Sequence, residues 1–181
     1  SSARTRNNYK IWLSSFCSWL VEKQYMETNP CEHIKSLKEE DKKRTAISPE
    51  DLKRITKYLS ENDPYYLLVC RMEYYTFIRP EELTNIKLCD INLKEQKILV
   101  ASNISKNRRD GMVGLNDEII KQMIDLHIFD NDTNCYLFSK DFKPGYKKIT
   151  TRVIRDRFYK LRSVLKLPDT YLFYSFKDSG I

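Results

Sequence analysis

Tyr74-Tyr75-Thr76-Phe77-Ile78-Arg79-Pro80-Glu81-Glu82-Leu83 is an apolar, aromatic stretch that delivers one arginine to a proline and follows it with two carboxylates. Proline disfavours helical geometry in the residue before it, so a helix ending near Phe77 is expected to let Arg79 leave its line. Pro80, Glu81 and Glu82 then form a standard helix opening, with a first-turn proline and first-turn acids. A guanidinium is always charged, and its planar fork of donors fits two oxygens of one phosphate. Arg79 at the end of a buried helix therefore reads as a fixed anion clamp, with Glu82 placed to orient it from behind. The same residues also suit a surface arginine ahead of an ordinary helix start, and this stretch alone does not choose between the two.

Upstream, Tyr9, Trp12, Leu13, Phe16, Trp19 and Leu20 recur at three- and four-residue intervals, which predicts an amphipathic helix from Thr5 to Lys23 with Thr5 as its N-cap. Asn29-Pro30 marks a turn, and a short helix carrying Ile34 and Leu37 is expected after it. Lys38 to Arg44 is a charge run without an apolar residue and reads as a linker. Two helices are too few to bury Trp12, Phe16 and Trp19, so the segment before the linker is expected to be the end of a small helical domain that starts earlier. Ser48-Pro49-Glu50-Asp51 opens a helix through Leu52, Ile55, Tyr58 and Leu59, and a second runs from about Tyr65 to Phe77.

Downstream, Ile91 to Leu115 changes character. A turn at Lys94 to Gln96, a β-like run at Lys97 to Asn103, a polar tip at Lys106 to Gly111 and then Met112, Val113 and Leu115 predict a small antiparallel sheet. Helical spacing returns at Glu118 to His127, with Ile119, Ile120, Met123, Ile124 and Leu126 on the packing side, and again at Thr151 to Leu165. The expected fold class is mainly α with a small antiparallel β-sheet.

The 181 residues carry a net charge of +7, which favours a polyanionic partner. The charge is concentrated: ten basic residues stand against two acidic ones between Lys140 and Lys166. A local field of that size suits a phosphate-backbone binder, although a solvated lysine-rich helix face has the same composition. No apolar run approaches the ~18 residues of a membrane span, and Ser1 to Lys10 has no signal-peptide character. The five cysteines are widely spaced, with no CxxC and no histidine pair, so they are expected to be reduced, mostly buried thiols and not metal ligands.

The order of these elements, together with Arg79-x-x-Glu82-Leu83, the tip Ser105-Lys106-Asn107-Arg108-Arg109-Asp110-Gly111, Tyr136-Leu137-Phe138 and the ending Tyr174-Ser175-Phe176-Lys177-Asp178-Ser179-Gly180, resembles tyrosine recombinases of the phage integrase family. The ending is most similar to mobile-element integrases of Bacteroides-like bacteria. The resemblance covers nearly the whole chain through short motifs. It implies that residues 1–37 are the C-terminal part of a helical, SAM-like core-binding domain, 38–47 a linker, and 48–181 a catalytic domain lacking its C-terminal end.

What the resemblance implies about chemistry is specific. Arg79 matches the first catalytic arginine, Glu82 its supporting acid and Lys106 the hairpin lysine that acts as general acid. Tyr174 and Lys177 stand where most members carry histidine and a second arginine, and Asp178 where a histidine often follows. Lysine is a point charge without the bidentate fork, so the second half of the clamp departs from the usual pattern. The phosphodiester would be attacked by a tyrosine to give a 3′-phosphotyrosine link and a free 5′ hydroxyl, with no cofactor and no metal. That nucleophile lies beyond Lys177 in the family, and no tyrosine before Ile181 occupies its place. These residues alone are thus expected to bind DNA without cleaving it.

The implied partner is a double-stranded recombination site, bound by a homotetramer with accessory DNA-bending or excision factors, in the bacterial cytoplasm on the nucleoid. The expected phosphate contacts are Arg4, Arg6 and Lys10 near the start, Arg108 and Arg109 at the hairpin tip, and Lys147, Lys148, Arg152, Arg155, Arg157 and Lys160 in the basic segment. The alternative is a catalytically inactive, sequence-specific DNA-binding protein of the same fold.

Overall fold

The computed structural model describes residues 1–39, 44–101 and 110–180. The chain divides into two compact units, Ser1–Lys43 and Arg44–Ile181.

The first unit is built on α1 (Ala3–Glu22). Its N-cap is Ser2, not Thr5: the Ser2 hydroxyl accepts from the Thr5 amide, which places Thr5 inside the first turn. The expected short helix around Ile34 and Leu37 does not form. Asn29 holds a turn instead, donating to the Ser14 carbonyl and the Ser18 hydroxyl while its own oxygen accepts from the Cys31 amide. The backbone then runs past α1, where the buried Asn7 side chain bonds both the N–H and the carbonyl of Leu37. Two-sided pairing by an asparagine amide satisfies that backbone without a helix. Tyr9, Trp12, Phe16 and Trp19 form an exposed aromatic face within this unit.

The second unit is organised around α3 (Pro64–Thr76), which follows α2 (Pro49–Asn62). Tyr66, Leu67, Leu68, Val69, Cys70 and Met72 are all buried, so α3 is apolar nearly all round and runs through the core. The Tyr66 hydroxyl satisfies its buried position by donating to the Ile154 carbonyl at 2.9 Å. Phe77 caps α3 in the left-handed region at φ 55°, and Arg79 returns to extended backbone (φ −67°, ψ 148°) as N-cap of the single turn α4 (Pro80–Leu83). The proline acts as its local chemistry predicts.

Strands β1 (Ile91–Asn92), β2 (Lys97–Val100) and β3 (Gly111–Gly114) form an antiparallel sheet in that order, with Ile98 opposite Val113 and Val100 opposite Gly111. Ile98 and Val100 face the core and alternate with exposed neighbours. Helix α5 (Asp117–Asp125) buries Ile119 and Met123. Ile124, expected on its packing side, is exposed, because it sits next to Met123 at a step that points away from α3.

The basic helix α6 (Thr151–Leu165) has the predicted bounds and buries Ile154, Phe158 and Leu161 along one stripe. The short α7 (Ser175–Ser179) is fixed by rings: Phe158, Phe173 and Phe176 meet edge to face with centroids 5.7 to 6.2 Å apart. Four of the five cysteines are buried and Cys89 is exposed, all as free thiols. Among the described residues no helix is long and apolar enough to cross a membrane, and no cluster of ligands suits a metal ion.

Candidate nucleic-acid interface

Three pieces of backbone converge in the second unit: the end of α3 with its left-handed cap, the start of α4, and α7, which packs on α3. They bring Arg79, Tyr174 and Lys177 into one neighbourhood, although the first is nearly a hundred residues from the other two.

Arg79 is held from both ends by Glu82. The carboxylate accepts the guanidinium Nη1 at 2.9 Å and, through its other oxygen, the Arg79 backbone N–H at 2.9 Å. The Glu82 side chain is buried, while that of Arg79 remains 35% exposed. The acid thus anchors the root of the arginine and leaves donors directed outward. The Glu82 carboxylate, and beyond it the Tyr174 hydroxyl, hold the guanidinium proton more firmly than usual.

Tyr174 is half-buried at the N-cap of α7, unlike its buried neighbours Tyr171 and Phe173. Cations lie against both ends of its environment, with the Arg44 guanidinium 5.0 Å and the Lys177 ammonium 5.8 Å from the ring centroid. Lys177 Nζ donates to the Phe77 carbonyl at 2.8 Å, an acceptor exposed by the left-handed turn that ends α3. Asp178, where the resemblance leads one to look for histidine, is engaged by Arg44 through both oxygens, at 2.5 and 2.8 Å. Lys106, Arg108 and Arg109 lie outside the described residues.

Two members of this cluster escaped the sequence reading. Arg44 falls in the linker charge run, and its pairing with Asp178 spans 134 positions and has no local signal. Glu73 lies inside an apolar helix. It is fully buried, and neither carboxyl oxygen has a hydrogen-bond partner among the described residues. Burial pushes its carboxyl up to about 8 against the pull of Lys177, with Glu82 and Asp178 adding to the rise and Arg44 opposing it. A lone acid in Pro64–Thr76 was the available clue.

The other cations separate by environment. On α6, Arg155 and Lys160 are exposed, and Arg152 is exposed with a loose 3.5 Å contact to Asp156. Arg157 instead donates to Asp63, the N-cap of α3, with its Nε at 2.7 Å. Lys147 is exposed, and Lys148 donates to Asn85 at 2.8 Å. In the first unit Arg4 pairs with Glu39 at 3.0 Å, Lys10 Nζ lies 3.4 Å from the Ser36 hydroxyl and Arg6 is exposed.

Residues 45–175 match the model of the phage integrase family. The protein named "Putative defective protein IntQ" of Escherichia coli (strain K12) is 32% identical over 107 residues, covering 59% of this chain and 26% of that protein. Among solved structures, the Tn1549 transposon integrase in complex with circular intermediate DNA superposes with a TM-score of 0.76 at 14% identity, over 99% of this chain and 65% of that one. A lambda integrase dimer bound to a COC′ core site gives 0.76 at 14% identity, over 98% and 65%. XerA recombinase gives 0.57 at 24% identity, over 74% and 47%. At these identities the likeness is one of fold. The chain spans about a quarter of the curated relative and just under two thirds of the integrase structures.

Proposed function

Because this chain belongs to the phage integrase family, as a match over residues 45–175 establishes, we propose that it is the phosphate-binding part of a site-specific DNA recombinase that cuts and rejoins strands through a 3′-phosphotyrosine link, moving a mobile element into or out of a duplex. The observation that carries this reading is the junction of Arg79, braced by Glu82, with Tyr174 and Lys177 from a distant segment.

The chemistry follows from charge. Attack on a phosphodiester adds negative charge to the nonbridging oxygens, and a braced guanidinium beside them stabilises that charge with little reorganisation. Lys177 adds a second positive charge, and the Tyr174 hydroxyl a neutral donor. Lys106 is the proposed acid for the leaving 5′ oxygen. None of the 12 tyrosines of this sequence is proposed as the nucleophile. Arg152, Arg155 and Lys160 on α6, with Arg4, Arg6 and Lys10 in the first unit, are the proposed backbone contacts, and the first unit is proposed to be part of a helical core-binding domain. A homotetramer on two recombination sites completes the proposal.

The test is covalent capture of the complete protein on a nicked suicide substrate. Arg79→Ala should abolish capture while duplex affinity stays within a few fold, since the remaining phosphate contacts supply most of it. Capture that persists in the variant would overturn the assignment. A second reading, a DNA-binding protein without chemistry, is favoured by Lys177 in place of a fork and by a relative that is itself named "Putative defective protein IntQ". It predicts no capture by the unaltered protein either.

A further inference from the structure

The charges around Glu73 can be counted by partner. From α4, Glu82 is committed to Arg79; from α7, Asp178 is committed to Arg44 of the segment before α2. The Cys70 thiol, one turn earlier on α3 itself, is buried and held in its neutral form by burial. That leaves one cation and one acid. Lys177 is the largest charge influence on Glu73, yet its ammonium is held by a backbone carbonyl, while neither Glu73 oxygen has a hydrogen-bond partner among the described residues. The carbonyl belongs to Phe77, four residues after Glu73. Glu73 lies in the last turn of α3, Phe77 closes that helix in the left-handed conformation, and α7, which carries Lys177, packs against α3, so the buried carboxyl and the ammonium belong to the same end of one helix pair.

We propose that Glu73 is the positioning acid of Lys177: ionised, it draws the ammonium inward from the Phe77 carbonyl, and protonated, it leaves the ammonium at the rim of the Arg79 cluster. Glu82 braces Arg79 permanently because that pair is partly solvated. Glu73 is sealed from water, where a bare carboxylate is costly, so it carries a proton until the solution is alkaline enough or the ammonium moves to meet it. Lys177 is then an adjustable cation beside a fixed one. That the displaced or released ammonium meets a phosphate rests on the recombinase reading; the coupling between the two side chains does not.

The experiment is carbon- and nitrogen-detected NMR of the 181-residue chain across pH 4 to 10. The Glu73 Cδ resonance should titrate near pH 8, apart from the other carboxyls, with the Lys177 Nζ shift following the same midpoint. Lys177→Met should move the Glu73 midpoint upward by at least half a unit, because the opposing charge is gone. Glu73→Gln should erase the step near pH 8 from the Lys177 signal. A Glu73 resonance titrating near 4.5, a midpoint unmoved in Lys177→Met, or a Lys177 signal indifferent to Glu73→Gln would each overturn the proposal, and the first needs no variant. None of these readings involves DNA, so loss of the recombinase assignment leaves them intact. Conversely, their failure leaves the Arg79 capture test standing.

Discussion

Glu82 makes two separable contributions to Arg79, one to its backbone and one to its charge. The carboxylate accepts the Arg79 N–H as a reciprocal helix cap and the guanidinium as an ion pair, both at 2.9 Å. Glu82→Gln keeps an acceptor for the N–H and drops the charge, so it should cost about 1 kcal/mol in urea denaturation. Glu82→Ala loses both and should cost about 2 to 3 kcal/mol. Equal losses in the two variants would show that the charge carries the whole contribution and the acceptor for the backbone N–H none. Glu73 sets the opposite sign. Its folded-state carboxyl holds a proton up to about 8, whereas the unfolded chain releases it near 4.5. The folded state therefore binds more protons between those values, and this contribution to stability, complete below 4.5, falls as pH rises and levels off above 8. Glu73→Gln should flatten that decline by up to about 1.4 kcal/mol per pH unit, read from denaturation midpoints at pH 5, 6.5 and 8. A parallel pH profile for the variant would place the acid's proton elsewhere.

At the scale of elements, the site depends on α7 staying against α3. α7 has only five residues and cannot persist by propensity. Its place is set by Phe176 against Phe158 and Phe173, by the Ser179 hydroxyl accepting the Ile47 N–H at 2.7 Å, and by close approach at its end. A Cβ on Gly180 would meet the Tyr74 carbonyl oxygen at 2.2 Å and the Phe77 ring at 3.2 Å. The φ of Gly180, −83°, is open to any residue, so the requirement is space and not backbone freedom. Gly180→Ala should displace the last turn of α7 at a cost of about 1 to 3 kcal/mol, with faster hydrogen exchange at the α7 amides. Unchanged exchange and melting temperature would show that the contact is slack.

For the whole molecule, the charge map separates cations that hold the fold from cations free to meet a polyanion. Arg157 is spent on Asp63, where it helps seat α6 against the start of α3, whereas Arg152, Arg155 and Lys160 point to solvent. Duplex affinity measured between 50 and 200 mM salt should therefore lose about one unit of log-log slope for each of Arg152→Ala, Arg155→Ala and Lys160→Ala that removes a phosphate contact. Arg157→Ala should lower stability and leave the slope nearly unchanged. A slope that falls as much for Arg157 as for its neighbours would return it to the interface.

Features set by short-range chemistry were legible in the residues alone. The Ser48-Pro49 opening, the break at Arg79-Pro80, the alternation of Lys97 to Val100 and the 3.6-residue spacing of Thr151 to Leu165 each follow from sterics and hydrophobic period over a few residues. Arg79 and Glu82 belong to the same class, because an acid three positions on reaches back within one turn. Of the two departures one is local, Ser2 displacing Thr5 as the cap, and the other is not: Asn7, thirty residues away, ties Leu37 into a non-helical path that periodicity does not foresee. Only the tertiary structure brought Lys177 to the Phe77 carbonyl, Arg44 to Asp178, and Arg157 to Asp63. It alone left the Glu73 carboxyl buried with no hydrogen-bond partner among the described residues. Those outcomes depend on which faces α3, α6 and α7 present to one another, and the energy of a buried charge is set by neighbours distant in sequence.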